Sequence, residues 1–155
     1  MARDERRIVV GVDGSGSSKA ALRWAIRQAK LTNSSLDAVI VWQPPYVFGF
    51  AALVDGVDFE GIATRVLTQA LAEASSLEPD VRIHPLVTEG DAAGELVCAA
   101  EGADLLVVGS RGHGGFSSAV LGSVSLHCVL HAHCPVLVLR DGREGHDTPS
   151  SKPAK

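Results

Sequence analysis

The chain has 155 residues, 46% of them hydrophobic and 21% charged, and a formal net charge of −4. This length and composition suit one domain with a substantial apolar core. The negative balance argues against an extended nucleic-acid surface, which needs clustered Lys and Arg to neutralise phosphates. No apolar run reaches membrane-spanning length. The cysteines, Cys98, Cys128 and Cys134, are odd in number and lie in apolar stretches, which indicates buried free thiols in a reducing cytoplasm.

Apolar runs of strand length alternate along the chain with segments of helical period, a pattern typical of βαβ units on a parallel sheet. Five strands are predicted, each apolar enough to be covered on both faces, at residues 7–12, 36–42, 81–88, 104–109 and 135–140. Four helices are predicted, one capped by a serine and beginning near Ser17 or Ser18, the others at about 61–77, 92–101 and 123–131. Right-handed crossovers give an α/β, Rossmann-like sandwich, a five-stranded parallel sheet with helices on both faces.

Two segments fall outside this alternation. Residues 44–61 follow the second strand and carry most of the aromatic side chains: Tyr46, Phe48, Phe50 and Phe59. Such a stretch is either a lid, binding loop or partner surface, or an ordinary loop with a helical turn. Residues 141–155 are polar and are predicted to be a disordered tail, so the predicted domain spans residues 1–140.

Residues 105–125 read as a buried strand, a glycine-rich loop and the opening turn of a helix. Gly109, Gly112, Gly114 and Gly115 are expected to adopt positive φ and to let the backbone come close to a ligand. Gly122 then offers unpaired amides where helical periodicity begins. An anion fits there without a basic side chain, so the segment predicts a phosphate-binding loop. The alternative for any single glycine-rich loop is an ordinary turn without a ligand.

The spacing of this loop is Gly-x-x-Gly, nine residues, then Gly-Ser, at Gly109, Gly112, Gly122 and Ser123. It follows an apolar run directly and resembles the nucleotide-binding signature of the universal stress protein family, in its ATP-binding branch. The resemblance extends from Ile8 to about residue 140, including Val-Gly-Val-Asp-Gly-Ser at 10–15 and Cys-Pro-Val-Leu-Val-Leu at 134–139. It implies an adenine nucleotide alpha hydrolase-like fold and ATP, with Mg²⁺, as the ligand.

The resemblance also implies individual roles. Asp13 would contact the ribose or the adenine end, and the backbone near Val41 would touch adenine, with the first and fourth predicted strands as neighbours. Asp13, Val41 and the glycine loop all follow strand ends, so we expect them to converge at the carboxyl edge of the sheet. The predicted nucleotide-binding residues are Gly11, Val12, Asp13, Val41, Gly109, Ser110, Arg111, Gly112, His113, Gly114, Gly115, Gly122, Ser123, Val124 and Ser125.

Some of these residues have plainer interpretations, and other chemistries are disfavoured. Asp13 followed by glycine and serine also suits a strand-to-helix turn, and a loop arginine such as Arg111 is more often solvated than bound. The P-loop pattern fails because its Gly-Lys-[Ser/Thr] ending is missing and Lys19 comes too late. The dinucleotide pattern fails because Lys19 stands where a glycine is needed and no acidic residue ends the second strand. His127 and His131 share a helix face, but no accompanying glutamate or zinc-knuckle spacing supports a metal site. No catalytic motif is visible, which leaves the loop as the source of any slow turnover.

The sequence therefore predicts a cytoplasmic, ATP-binding universal stress protein, a nucleotide-responsive regulator of stress adaptation that acts on a protein partner and not on nucleic acid or membrane. The resemblance implies a homodimer through antiparallel pairing of the last strand, with Val136 and Val138 at the contact; a covered edge in a monomer is the alternative. The alternatives for the site are a slow ATPase or nucleotide-dependent phosphotransferase using Arg111 or His113, and binding of cyclic AMP, whose single phosphate needs less of the helix end.

Overall fold

The computed structural model describes residues 5–47, 50–51, 56–76, 78–112 and 121–141. The predicted disordered tail beyond residue 141, and residues 113–120 of the glycine-rich loop, lie outside this part of the chain. The longest described helices have 17 residues, and none of the described helices is both long and apolar enough to cross a membrane.

Five parallel strands form the main sheet, as predicted, and two further short strands form a separate hairpin. The strands are, in chain order, β1 (Arg7–Gly11), β2 (Ser35–Trp42), β3 (Tyr46–Val47), β4 (Phe50–Ala51), β5 (Ile83–Glu89), β6 (Leu105–Gly109) and β7 (Val136–Leu139). The main sheet has the order β5-β2-β1-β6-β7. The predicted bounds of its strands are correct to within two residues.

Two strand predictions are corrected. The strand at residues 83–89 is not covered on both faces, because β5 is an edge strand and His84, Pro85, Leu86 and Glu89 are exposed. The stretch at 44–61 is not irregular throughout, since β3 and β4 pair as an antiparallel hairpin within it. Two strands of two residues each carry too short a pattern to be recognised in sequence. The aromatic side chains of the hairpin lie outside the described part of the structure.

Four helices connect the strands: α1 (Gly16–Thr32), α2 (Phe59–Ser75), α3 (Ala92–Ala99) and α4 (Ser123–His131). The first begins slightly earlier than predicted and is capped by Ser15, whose side chain accepts a hydrogen bond from the amide of Ser18. Asp58 and Asp91 cap the next two helices in the same way, each accepting from the amide three residues later. Gly122 occupies the cap position of α4 without a side-chain cap.

The helices cover the sheet on both faces, as predicted. Helices α1 and α2 pack on one face against residues such as Val10 and Leu36, whereas α3 and α4 pack on the other against residues such as Val9 and Leu106. Val9 and Val10 are both completely buried, because adjacent strand residues point to opposite faces and β1 lies in the centre of the sheet.

The strand order defines where a ligand site is expected. From β1 the chain builds one side of the sheet through β2 and β5, and then returns to the other side to form β6 and β7. Strands β1 and β6 are paired in parallel from Ile8 and Leu105 onward, which confirms the predicted adjacency. The point where the order reverses therefore lies between β1 and β6, and the crevice outside their carboxyl ends is the usual binding place in such sheets.

Candidate functional site

A cleft of about 480 Å³ lies at this point of reversal. Its lining brings together the carboxyl ends of β1, β2 and β6 with the first residues of α1, α3 and α4. Apolar side chains form much of the wall: Val12, Val39, Val41, Leu96, Val108, Leu121 and Val124. The polar lining residues are Asp13, Ser18, Arg111, Ser123 and Ser125. A cleft of this size with few convergent polar groups suits a small organic ligand that carries charge at one end.

Asp13 stands where β1 gives way to α1, and its carboxylate helps to form that turn. Its Oδ1 atom accepts a hydrogen bond from the Ser15 amide at 2.9 Å and another from the Ser15 hydroxyl. The Asp13 amide in turn donates to Ser18 Oγ at 3.2 Å. The strand-to-helix turn is thus present, and Asp13 also lines the cleft. The turn therefore fixes the position of the carboxylate of a residue that lines the cleft.

The glycines of the loop serve a different purpose from the one predicted. The positive φ predicted for Gly109 and Gly112 is wrong, since neither has a left-handed backbone. Gly109 is required by packing: a Cβ atom there would lie 2.5 Å from Ser17 Oγ and 2.7 Å from the backbone nitrogen of Ser18. At Gly112 a Cβ would lie 3.0 Å from Asp13 Oδ2. The missing side chains let α1 and Asp13 approach the end of β6.

The dipeptide Ser110–Arg111 joins this end of β6 to two helix N-termini. The Ser110 carbonyl accepts a hydrogen bond from the Gly122 amide at 2.7 Å, at the start of α4. Ser125 Oγ lies 3.3 Å from the same carbonyl and 3.0 Å from the Gly122 carbonyl. The Arg111 carbonyl accepts a hydrogen bond from Ser17 Oγ at 2.7 Å, in the first turn of α1. Two helices that are far apart in sequence are therefore held on adjacent peptide groups.

The start of α4 presents backbone amides toward the cleft. The first amide paired along this helix belongs to Leu126, which donates to the Gly122 carbonyl at 3.0 Å. The preceding amides of Ser123, Val124 and Ser125 belong to the first helical turn, which has no intrahelical acceptors. All three residues line the cleft. A helix N-terminus of this kind favours a bound anion, because its amides and dipole both present positive charge.

The structure brings most of the predicted site residues to one place. The cleft is lined by Gly11, Val12, Asp13, Val41, Gly109, Arg111, Gly112, Gly122, Ser123, Val124 and Ser125. Ser110 is buried behind this surface and acts through its backbone. His113, Gly114 and Gly115 lie outside the described residues. The structure thus shows that the described residues lie close together. The roles assigned to all these residues stay predictions.

Six further lining residues are absent from the predicted set: Ser18, Val39, Ala92, Leu96, Val108 and Leu121. Val39 could have been found from strand periodicity, because it lies two residues before Val41 and so shares its face of β2. Ala92 and Leu96 are one helical turn apart, but nothing in the sequence pairs α3 with this site. A Cβ atom at Gly11 would lie 3.0 Å from a methyl group of Leu96, so that glycine admits the leucine.

The sequence model of the universal stress protein family matches residues 5–140. The chain belongs to the universal stress protein family. It is 35% identical over 134 residues to universal stress protein Rv2623 of Mycobacterium tuberculosis, an alignment that covers 86% of this chain and 45% of that protein. The chain thus spans about half the length of the curated relatives it matches.

Solved structures agree with this family and with the fold. A universal stress protein family member from Burkholderia pseudomallei is 31% identical, with a TM-score of 0.62 over 86% of this chain and 94% of that chain. A universal stress protein solved in complex with cAMP is 26% identical, with a TM-score of 0.69 over 89% of this chain and 98% of that chain.

None of the histidines and cysteines in the described part of this universal stress protein lines the cleft. The His127 and His131 rings are 4.3 Å apart between centroids on α4, and no group of three His, Cys, Asp or Glu residues converges within the described ranges. Cys128 is fully buried, and this burial raises the pKa of its thiol to about 11. Cys134 is partly buried, whereas Cys98 is exposed. All three thiols are free, but burial of Cys98 was wrongly expected from its apolar neighbours along the chain.

Proposed function

We propose that this universal stress protein binds ATP in the cleft and acts as a nucleotide-responsive regulator. The observation that carries the proposal is the construction of the cleft, which joins an apolar wall to the open N-terminus of α4. Adenosine phosphates have the same division, an apolar flat base at one end and negative charge at the other. The similar protein solved with cAMP supports an adenine nucleotide as the class of ligand.

The base and ribose are assigned to the side of the cleft formed by β1 and β2. Val39 and Val41 offer apolar contacts on one face of β2, and the backbone near Val41 can pair with the adenine edge. Asp13 accepts hydrogen bonds through its carboxylate, as ribose hydroxyl groups require of a partner. The Ser15 contacts hold Oδ1 in the turn, and Oδ2 faces Gly112.

The phosphates are assigned to the end formed by Arg111, Gly112 and the first turn of α4. Ser123 and Ser125 line the cleft here in the first turn of α4, whose amides have no intrahelical acceptors, and the helix dipole favours negative charge there by about 0.3–1 kcal/mol. Arg111 is exposed and can add a charged contact. Mg²⁺ is proposed to arrive with the phosphates, which together with water supply most of its oxygen ligands. Asp13 is the carboxylate among the described lining residues that could add one more.

Release of the bound ligand from freshly purified protein under denaturing conditions, followed by identification of nucleotides, tests this proposal. Titration of ATP, ADP and cyclic AMP into wild type and Gly122→Asp accompanies it. We expect ATP to be found or bound, and the variant to bind it at least about tenfold more weakly, because a carboxylate at the cap position repels phosphate. The variant should keep its thermal stability, since aspartate is a favourable cap.

Val129→Asp is the matched control for this experiment. It adds the same charge to an exposed position of α4, away from the cleft, and should bind ATP like wild type. If no adenine nucleotide is released or bound by wild type, the binding proposal is wrong. Preferential binding of cyclic AMP would replace ATP as the ligand, and steady release of ADP and phosphate that is lost in Arg111→Ala would favour the slow ATPase.

We also propose that the protein acts as a homodimer through β7. This strand lies at the edge of the sheet, and its residues are all partly exposed. The amide of Leu106 donates to the Pro135 carbonyl and that of Ser110 to the Leu139 carbonyl, so alternate residues of β7 face β6. By this alternation the backbone groups of Val136 and Val138 point outward, where a second β7 can pair.

Light scattering on a size-exclusion column tests the dimer. Val138→Pro removes an outward amide without removing one from the β6–β7 ladder, so we expect a monomer of unchanged fold. Val138→Thr keeps the amide and should remain dimeric. A monomeric wild type would show that the edge is covered or unused. A cytoplasmic location and a protein partner that senses the nucleotide state complete the proposal.

A further inference from the structure

We infer that Ser17 is a positioning residue for nucleotide binding, although it does not line the cleft. This inference rests on the proposed function and assigns to it a residue that acts through the backbone of the phosphate-binding loop. Ser17 is 4% exposed and lies in the first turn of α1. Its partner Arg111 is 94 residues further along the chain, where the loop leaves β6.

Ser17 holds Arg111 at two points. The Ser17 hydroxyl donates to the Arg111 carbonyl at 2.7 Å, and the Arg111 amide donates to Ser17 Oγ at 3.4 Å. Ser15 Oγ also lies 3.3 Å from this carbonyl, but it lies closer to Asp13 Oδ1, at 2.5 Å. A serine hydroxyl has one hydrogen, so the closer carboxylate takes that of Ser15. Ser17 is therefore the main side-chain partner of the Arg111 carbonyl.

The contact is set by the packing around it. A Cβ atom at Gly109 would lie 2.5 Å from Ser17 Oγ, so the glycine is what allows the hydroxyl to reach the loop. The neighbouring Ser110 carbonyl is held by the Gly122 amide at 2.7 Å. The Ser17 contact thus fixes the orientation of Arg111 and Gly112 relative to the first turn of α4. Those are the two parts of the cleft assigned to phosphate.

Loss of the Ser17 hydroxyl should therefore weaken phosphate binding selectively. We expect Ser17→Ala to bind ATP about fivefold to tenfold more weakly than wild type, which is the effect of losing one buried hydrogen bond. Binding of adenosine, which has no phosphate, should stay within about twofold of wild type. In the ligand-free protein, hydrogen exchange at the Arg111 amide should become faster.

Ser34→Ala is the matched control. Ser34 is also buried, at 5% exposure, and its hydroxyl lies 2.7 Å from that of Thr32 at the opposite end of α1. This variant loses a comparable hydroxyl and should bind ATP and adenosine like wild type. Ser17→Cys keeps a side chain of similar volume but has a weaker hydrogen-bond donor. It therefore gives a second measurement of ATP binding without the Ser17 hydroxyl if Ser17→Ala folds poorly.

The outcomes separate the two claims. If wild type binds ATP and Ser17→Ala binds it equally well, the positioning role is wrong while the proposed function stands. Equal weakening of ATP and adenosine binding also overturns it, because that pattern reports a general loss of structure. If wild type binds neither ligand, the proposed function is wrong and the positioning role falls with it.

Discussion

Gly109→Ala should destabilise the protein even though the φ angle at this position is one that any residue can adopt. The added Cβ atom would lie 2.5 Å from Ser17 Oγ and 2.7 Å from both the Ser17 carbonyl carbon and the Ser18 nitrogen. Ordinary van der Waals contact begins at 3.4 Å, so the end of β6 and the start of α1 must separate by about 0.7–0.9 Å. Two of the three atoms are backbone, and a rotamer change cannot relieve them.

Overpacking of this kind costs about 1–3 kcal/mol of unfolding free energy. For a domain of this size that corresponds to a fall of about 3–10 °C in the melting temperature. Thermal and urea unfolding followed by circular dichroism measure the loss. Because Gly109 also lines the cleft and the separation breaks the Ser17 contact, ATP binding should weaken in the same variant.

Gly94→Ala provides the comparison, because this glycine lies inside α3 and its Cβ would meet only Asp91 Oδ2, at 3.4 Å. Alanine in place of a helical glycine should raise the unfolding free energy by up to about 1 kcal/mol. The two alanine variants should therefore move in opposite directions. A Gly109→Ala protein as stable as wild type would refute the explanation by packing and return the glycine to a role in chain flexibility.

Two further predictions concern stability. Burial raises the pKa of the Cys128 thiol from 9.0 to about 11, so the folded protein keeps a proton that the unfolded chain loses; unfolding free energy should fall as pH rises from about 9 through about 11. Urea unfolding over this range should show a smaller fall in Cys128→Ala, whereas Cys98→Ala, at an exposed thiol, should follow wild type. Arg7→Met removes the guanidinium that donates to Asp37 Oδ2 at 2.9 Å and should cost about 2 kcal/mol in urea unfolding. Arg82→Met breaks an exposed ion pair and should cost under about 0.5 kcal/mol; equal losses would contradict this reasoning.

The sheet and its helices could be predicted because their signals are local. Runs such as Ile8–Val10 are apolar without alternation, which is typical of strands buried on both faces, and the period of α1 is unmistakable. Position at an edge is not a local property. β5 resembles a central strand in its sequence, yet it has one neighbour, and the side chains of His84 and Leu86 are exposed as a result.

The candidate site was predictable only in part, for a similar reason. The Gly-x-x-Gly spacing identifies the loop, but it does not say which atoms each glycine must accommodate. The close approach of Ser17 to Gly109 joins residues 92 positions apart, and only the folded chain brings them together. Leu96 reaches the cleft through a helix that carries no motif. A spacing pattern therefore finds the loop, while the wall and the supports of the site come from packing.

The way the cleft is built explains how a chain of net charge −4 can offer a site for an anion. Its positive character comes from helix N-termini, and the Ser110–Arg111 peptide groups hold α1 and α4 in place around it. Backbone dipoles cannot be moved without moving the fold, so we expect the proposed binding to depend on the small residues that let these helices meet. In the proposed site Gly109 contributes by letting α1 approach the end of β6, and Ser17 by its hydrogen bond to the Arg111 carbonyl. The exposed Arg111 side chain would add positive charge to a site whose shape is set by the backbone.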